Sequence, residues 1–332
     1  MTPPILRKLA FLCVTCVLWL NLAGCTTTQA IATDIPVQEE IEYLPSWTDG
    51  TETKTAITDF VADVTTPGSA NFVAAKDRVA VFDNDGTLWG EYPNYVQAFF
   101  FESHGSGIGE ETESYINAAG DFVETENNTE FDSPYVDLIY QPMVELLDYL
   151  RANEFQVYIC SGGEIDFIRG FAEEYYGIPP ENIVGSALTT TFDNTTDPPV
   201  LLRSDELVPP ANDKAGKPVG IERYIGKKPI LAVGNSNGDL QMLEYTDDSQ
   251  GNDLMLLLRH DDLARERYEE VEDPSVDCSV NDDSDPDNDV PDGPGFYCHT
   301  DKAVDKANSE DDWYLISVAN DFDKVFLGTE LP

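Results

Sequence analysis

Cationic side chains are scarce in this sequence. Its 332 residues include 19 Lys and Arg against 63 Asp and Glu, and the formal net charge at pH 7 is -44. Because so negative a field repels nucleic acids and anionic membrane surfaces, we expect neither as a partner. Histidine is rare as well: the 3 histidines are scattered along the sequence, which argues against a metal site built from imidazole ligands.

Cysteines are also few, and their positions limit the possible disulfides. The six form an N-terminal group, a single residue and a pair around an acidic stretch: Cys13, Cys16 and Cys25; Cys160; Cys278 and Cys298. In an exported chain whose N-terminal segment is processed, the natural pairing is Cys278 with Cys298. We interpret Cys160, at the end of an apolar segment, as a small buried core residue.

The N-terminal residues have the pattern of an export signal. Arg7 and Lys8 precede the apolar run 9–20, which is short for a membrane span, and Ala23 and Gly24 precede Cys25. The segment resembles a bacterial lipobox. This resemblance implies a signal peptide over residues 1–24, a lipid anchor at Cys25 as the membrane contact, and a place in the bacterial envelope. Thr26 rather than Asp favours the periplasm-facing outer membrane. The alternative is an uncleaved membrane anchor.

From residue 79 onward, apolar segments of strand length alternate with helical patterns. Residues 79–82 form an apolar run typical of a strand buried on both faces. Alternation of this kind predicts an α/β fold, a Rossmann-like three-layer sandwich with a mostly parallel sheet. We expect an acidic, polar tether over 25–70 and a folded domain over 71–332. Within that domain we expect a cap at about 89–140 and an acidic insertion between cysteines at about 270–300.

Polar residues follow the predicted strands, where ligand sites of open α/β sheets lie. Asp83 and Asp85 can act as nucleophile and general acid or base. Ser161 and Gly162, which we expect at the start of a helix over 164–176, can bind an anion. Lys217, with Lys214 as the alternative, can neutralise a phosphoryl group. The last group is Asn235 and Asp239, in the segment Gly234-Asn235-Ser236-Asn237-Gly238-Asp239.

These four motifs, in this order, resemble those of the haloacid dehalogenase superfamily, specifically its phosphatase branch related to phosphoserine phosphatases. The resemblance covers residues 79–326. It implies that Asp83 is the nucleophile and that Asp85 is the acid and then the base. It also implies that Thr87, Ser161, Gly162 and Lys217 bind the phosphoryl group. Mg²⁺ would be bound by Asp83, Asp85, Asn235 and Asp239.

Asn235 departs from this family pattern, which has Asp directly after the glycine of the fourth motif. An amide oxygen can ligate Mg²⁺, but the site loses one negative charge. We therefore expect a metal affinity that is weakened or lost. The alternatives to a phosphatase are a phosphotransferase that uses the same site and a surface lipoprotein that binds a ligand or Ca²⁺ without catalysis.

The substrate is expected to be a small phosphomonoester other than phosphoserine. Residues 79–150 contain no Lys or Arg, whereas recognition of the phosphoserine carboxylate from the cap would require a cation. The cap instead has aromatic side chains, which suit a neutral or cationic leaving group or form the cap core. These are Trp89, Tyr92, Tyr95, Phe99, Phe100, Phe101 and Tyr115.

An Asp-rich stretch lies between Cys278 and Cys298. It runs from Asp282 to Asp292 and could chelate Ca²⁺. Its spacing does not fit an EF-hand, so a solvated acidic loop is the alternative.

Overall fold

A computed structural model describes residues 43–247, 253–267, 301–310 and 312–328. Its helices are α1 Glu52–Thr65, α2 Val96–His104, α3 Thr112–Thr125, α4 Gln141–Ala152, α5 Ile165–Arg169, α6 Ala172–Tyr176, α7 Gly216–Gly220, α8 Leu240–Thr246, α9 Leu263–Glu266, α10 Asp301–Ala307 and α11 Val318–Asp321. Its strands are β1 Val79–Phe82, β2 Asn127–Asn128, β3 Ser133–Pro134, β4 Gln156–Glu164, β5 Ile183–Ser186, β6 Leu188–Asp193, β7 Val200–Leu207, β8 Leu231–Gly234, β9 Leu254–Arg259 and β10 Trp313–Ser317.

Within these residues the central sheet has six parallel strands in the order β10-β9-β8-β1-β4-β5. β1 lies between β8 and β4, with Val81 opposite Tyr158 on one side and Ala232 on the other. All four residues of β1 are buried, as the continuous apolar run predicts. The sheet thus extends on both sides of β1. This α/β architecture agrees with the expected fold class.

The two faces of the sheet pack into separate hydrophobic cores. Ala80 and Phe82 belong to one core and Val79 and Val81 to the other, because successive side chains of a strand point to opposite faces. On the first face α4 inserts a stripe of fully buried side chains, Met143, Leu146, Leu147 and Leu150. Helices on both faces make the three-layer sandwich.

The predicted tether over 25–70 is wrong for its second half. α1 lies within it, and Ile57, Val61 and Val64 of this helix are fully buried. The Thr51 side chain accepts a hydrogen bond from the amide of Lys54 and caps the helix. Trp47 is buried as well and donates from Nε1 to the carbonyl of Pro142. The folded body therefore includes residues from 43 onward.

The region expected to be a cap contains α2, α3 and the two-residue strands β2 and β3. A second segment, the antiparallel hairpin of β6 and β7, joins it. The amide of Arg203 on β7 donates to the carbonyl of Glu110, and Thr112 at the start of α3 donates to the carbonyl of Leu201. The cap is thus built from two insertions, of which only the first is predicted from the sequence.

The helix predicted over 164–176 begins one residue later than expected and is divided into two helices. β4 continues through Ser161, Gly162 and Gly163 to Glu164, and α5 and α6 are two short helices. Ser161 and Gly162 therefore lie on extended backbone rather than at a helix N-terminus.

Several predictions fall on residues outside the described ranges. They are the signal peptide, the anchor at Cys25, the Cys278–Cys298 disulfide and a Ca²⁺ site over Asp282–Asp292. In the part of the chain that the structure covers, no helix is both long enough and apolar enough to cross a membrane.

Candidate active site

The predicted motifs meet at the carboxyl ends of β1, β4 and β8. Asp83 directly follows β1, and its amide donates to the carbonyl of Val233 on β8. The chain then turns at Gly86, whose φ of +70° favours glycine. β1 lies where the sheet extends in both directions, which is the usual ligand position in open α/β sheets.

Asp83 is held by a buried lysine. Nζ of Lys217 lies 2.8 Å from Oδ1 of Asp83 and 2.5 Å from Oδ1 of Asp239. Burial alone would lower the pKa of Lys217, but the Asp239 and Asp83 carboxylates raise it above its usual value. The lysine is therefore a fixed cation beside the Asp83 carboxylate.

Asp239 organises the fourth motif from within. Its side chain is fully buried, and Oδ2 accepts hydrogen bonds from the amides of Asn235 and Ser236 at 3.0 and 3.1 Å. Its other oxygen faces Lys217. Because both oxygens contact groups of the protein, Asp239 connects the loop to Lys217 and does not line the central cavity.

Burial perturbs both candidate catalytic carboxyls. The pKa of Asp83 is raised to about 7, mainly by burial and to a smaller extent by the nearby Asp239 carboxylate. The Lys217 ammonium lowers this pKa but does not outweigh them. The pKa of Asp85 is raised by burial against a hydrogen bond of 2.8 Å from Nε1 of Trp89 to its Oδ1. A carboxyl with a raised pKa suits a general acid. Trp89 is fixed in turn by stacking on Phe171.

A cavity of about 440 Å³ opens above these residues. Its lining consists of Asp83, Asp85, Glu91, Tyr95, Gln97, Ala98, Phe101, Ser161, Gly162, Gly163, Asp213, Lys217, Asn235, Ser236 and Gly238. Most predicted site residues are thus brought together. Thr87 is fully buried and donates to Oδ1 of Asn235, and it and Lys214 lie outside this lining.

Several residues of this cavity are not predicted from the sequence. Glu91 and Asp213 add two carboxylates, and Gln97 accepts a hydrogen bond from the amide of Glu164. Tyr95 and Phe101 were named only as cap aromatics, and both are about 40% exposed. Glu91 and Gln97 follow the first motif within 14 residues, but no local pattern marks them as site residues.

The chemistry of the lining fits a hard divalent cation. Among the described lining residues, four carboxylates face one ammonium group, that of Lys217. Oδ1 of Asp83 is buried and has no well-oriented hydrogen bond, although it lies in ion-pair range of Lys217. Among the described residues, no three His, Cys, Asp or Glu side chains form a ready-made metal cluster. A Mg²⁺ site would thus also need amide or main-chain oxygens, which Mg²⁺ accepts.

No family model matches this chain, and no curated protein matches it either. Several solved structures are similar to this chain, at low sequence identity. A phosphoserine phosphohydrolase-like protein from Francisella tularensis has 18% identity over 57% of this chain and 91% of that one, with a TM-score of 0.33. Cytosolic 5'-nucleotidase IIIB bound to cytidine has 11% identity over 67% and 82%, with a TM-score of 0.37.

A third similarity is to a functionally unknown protein from Anaerococcus prevotii, with 19% identity and a TM-score of 0.36. It covers 47% of this chain and 46% of that protein, so this match spans less than half of each. Because these identities and TM-scores are low, the chemistry of the site is inferred from the residues of this chain alone.

Proposed function

We propose that the chain is a Mg²⁺-dependent phosphomonoester hydrolase of the haloacid dehalogenase type. The observation that carries this proposal is the convergence of Asp83, Asp85 and Lys217 on one cavity at the carboxyl end of β1. The three side chains supply a nucleophile, an acid and a cation, which are the groups that phosphoryl transfer through a carboxylate requires.

In the first step a carboxylate oxygen of Asp83 attacks phosphorus, and the bond from phosphorus to the leaving oxygen breaks. Asp85 donates its proton to that oxygen, so that the alcohol leaves neutral. Lys217 lies beside Oδ1 of Asp83, where its charge offsets that of the incoming phosphoryl oxygens. Ser161 and the amide of Gly162 line the same cavity and can bind those oxygens.

In the second step Asp85 takes a proton from water, whose oxygen attacks phosphorus and displaces the Asp83 carboxylate. Phosphate is released and both side chains return to their initial state. Mg²⁺ would be held by the Asp83 carboxylate, the main-chain carbonyl of Asp85 and the loop after β8, and it would neutralise phosphoryl charge.

The expected leaving group is neutral or cationic. Arg203 of β7 brings a cation into the cap, but it is fully buried and pairs with Glu164 and Asp166 beneath the ring of Tyr115. Its charge is therefore neutralised by carboxylates at the end of β4 and on α5. With Glu91 and Asp213 on the cavity wall, a substrate carboxylate would be repelled, which supports the exclusion of phosphoserine.

Phosphate release from a generic aryl phosphate, with and without Mg²⁺, tests the proposal. Wild type should hydrolyse it and Asp83→Asn should not. Asp148→Asn is the matched control, because that side chain is exposed and makes a surface ion pair with Arg151. Activity in Asp83→Asn equal to wild type would end the mechanism.

Export with a lipid anchor at Cys25 belongs to the same proposal and rests on residues 1–25 of the sequence. Labelling cells with a radioactive fatty acid tests it, and Cys25→Ala should remove the label from the protein.

A further inference from the structure

Asn235 lines the cavity, but both polar atoms of its side chain contact other residues of the protein. Oγ1 of Thr87 donates to Oδ1 of Asn235 at 3.1 Å, and Nδ2 of Asn235 points to Oε1 of Glu91 at 3.5 Å. All three residues are buried. The threonine hydroxyl therefore fixes the orientation of the amide, with its N–H donors turned toward a carboxylate.

The Gly86 turn holds these side chains beside Asp83 and Asp85. A Cβ atom at Gly86 would lie 2.1 Å from Nδ2 of Asn235 and 3.0 Å from Cδ of Glu91. Both side chains thus pack directly on the backbone of Gly86, the residue that follows Asp85. Glu91 also lines the cavity together with Asp83, Asp85 and Asn235.

This arrangement explains why residue 235 is an amide. A carboxylate at that position would face the Glu91 carboxylate across the same short distance, and two like charges that close in a buried site repel strongly. An amide there donates to Glu91 instead. The negative charge that the fourth motif lacks is present at the site, but it comes from another segment of the chain.

We propose that Glu91 is the anionic Mg²⁺ ligand that replaces the missing carboxylate of position 235, and that Asn235 positions it. The inference rests on the proposed function for the identity of the metal. Glu91 lies between β1 and α2, so the ion would connect the start of the cap with the Asp83 loop. A second observation is the charge of the cavity lining, where among the described residues four carboxylates are opposed by the single ammonium group of Lys217.

A charge exchange between the two positions tests this assignment. Mg²⁺ binding is measured by isothermal titration calorimetry on the mature chain for wild type, Glu91→Gln, Asn235→Asp and the double variant. Glu113→Gln on α3 is the control, because it removes an exposed cap carboxylate. Thermal unfolding in a chelator verifies that each variant folds.

We expect Glu91→Gln to raise the Kd for Mg²⁺ at least ~10-fold, a loss seen for groups that support a metal site. Asn235→Asp alone should not tighten binding, since it places two carboxylates together. The double variant should recover most of the lost affinity, because position 235 then supplies the carboxylate and position 91 the amide. Glu113→Gln should bind as wild type does.

Three results would overturn the assignment. They are unchanged affinity in Glu91→Gln, tighter binding in Asn235→Asp alone, and a double variant that binds no better than Glu91→Gln. If Glu91→Gln does not fold, the Mg²⁺ affinity of Asn235→Asp still tests the assignment. Phosphate release is assayed separately. If the variants show the expected binding pattern but wild type does not hydrolyse the substrate, Glu91 remains a metal ligand and the proposed function is wrong. If wild type hydrolyses the substrate but the binding pattern differs, only the assignment of Glu91 is wrong.

Discussion

Nζ of Lys217 lies 2.8 Å from Oδ1 of Asp83, and both side chains are buried. One carboxylate oxygen of Asp83 is therefore beside the ammonium group, which leaves the other available for attack. Because the two side chains are buried and paired, a change at either residue affects folding and catalysis together. This coupling determines how the variants below must be compared.

We expect Lys217→Met to lose both activity and stability. Removal of the ammonium leaves the buried carboxylates of Asp83 and Asp239 without their common cation, and breaking a buried pair costs about 3 kcal/mol. Urea unfolding measures the loss, and phosphate release should fall by at least ~100-fold. Lys227→Met is the control, because Lys227 makes an exposed ion pair with Asp77. Equal effects of the two substitutions would contradict the role of Lys217.

We expect Asp83→Asn to be more stable than wild type in metal-free buffer at pH 8. The pKa of Asp83 is raised from 3.8 to about 7, so the folded chain retains a proton that the unfolded chain releases between these values. Stability therefore falls as pH rises from about 4 to about 7. The amide removes this penalty, with a gain on the order of 2 kcal/mol at pH 8 that shrinks toward pH 4.

Chemical denaturation in a chelator at pH 4, 6 and 8 measures this gain. Asp148→Asn provides the control for removal of an exposed carboxylate. A gain that does not vary with pH, or a loss of stability at pH 8, would show that the Asp83 carboxylate is not destabilising in the metal-free protein.

We expect Asp85→Asn to separate the two chemical steps. An aryl phosphate has a good leaving group that needs little protonation, so Asp83 should still be phosphorylated. Hydrolysis of the phosphoenzyme requires a base and should slow by at least ~100-fold. The prediction is a burst of one equivalent of phenol followed by a slow phase, with phosphorylated Asp83 visible in the intact mass. A uniformly slow reaction without a burst would refute the role of Asp85 as the base.

The strands and the motifs at their ends could be predicted because their signals are local. β1 is a continuous apolar run, and Asp83 follows it directly, so topology alone brings it near Asn235. α1 also had a local signal, since Ile57, Val61 and Val64 lie on one helical stripe. The Thr-rich acidic surroundings hid that signal and led to the wrong prediction of a tether.

Other features have no local signal. Glu91 is 144 residues from Asn235, and nothing in its neighbours indicates that the two side chains meet. The hairpin of β6 and β7 has mostly exposed or half-buried residues, so it lacks the apolar alternation by which strands are found. Arg203 reaches the cap through that hairpin, which is why the cap was expected to have no cation of its own.

Cys160 should be unreactive in the folded protein. It is fully buried, and burial raises its pKa to about 12, so the thiolate that reacts with disulfide reagents is almost absent at pH 8. We expect no rapid thiol signal from the native mature chain and one equivalent after unfolding without reductant. Cys160→Ser should remove that equivalent. The same titration bears on the predicted Cys278–Cys298 disulfide: it holds if Cys160 supplies the whole signal, and two further thiols in the unfolded, unreduced chain would exclude it.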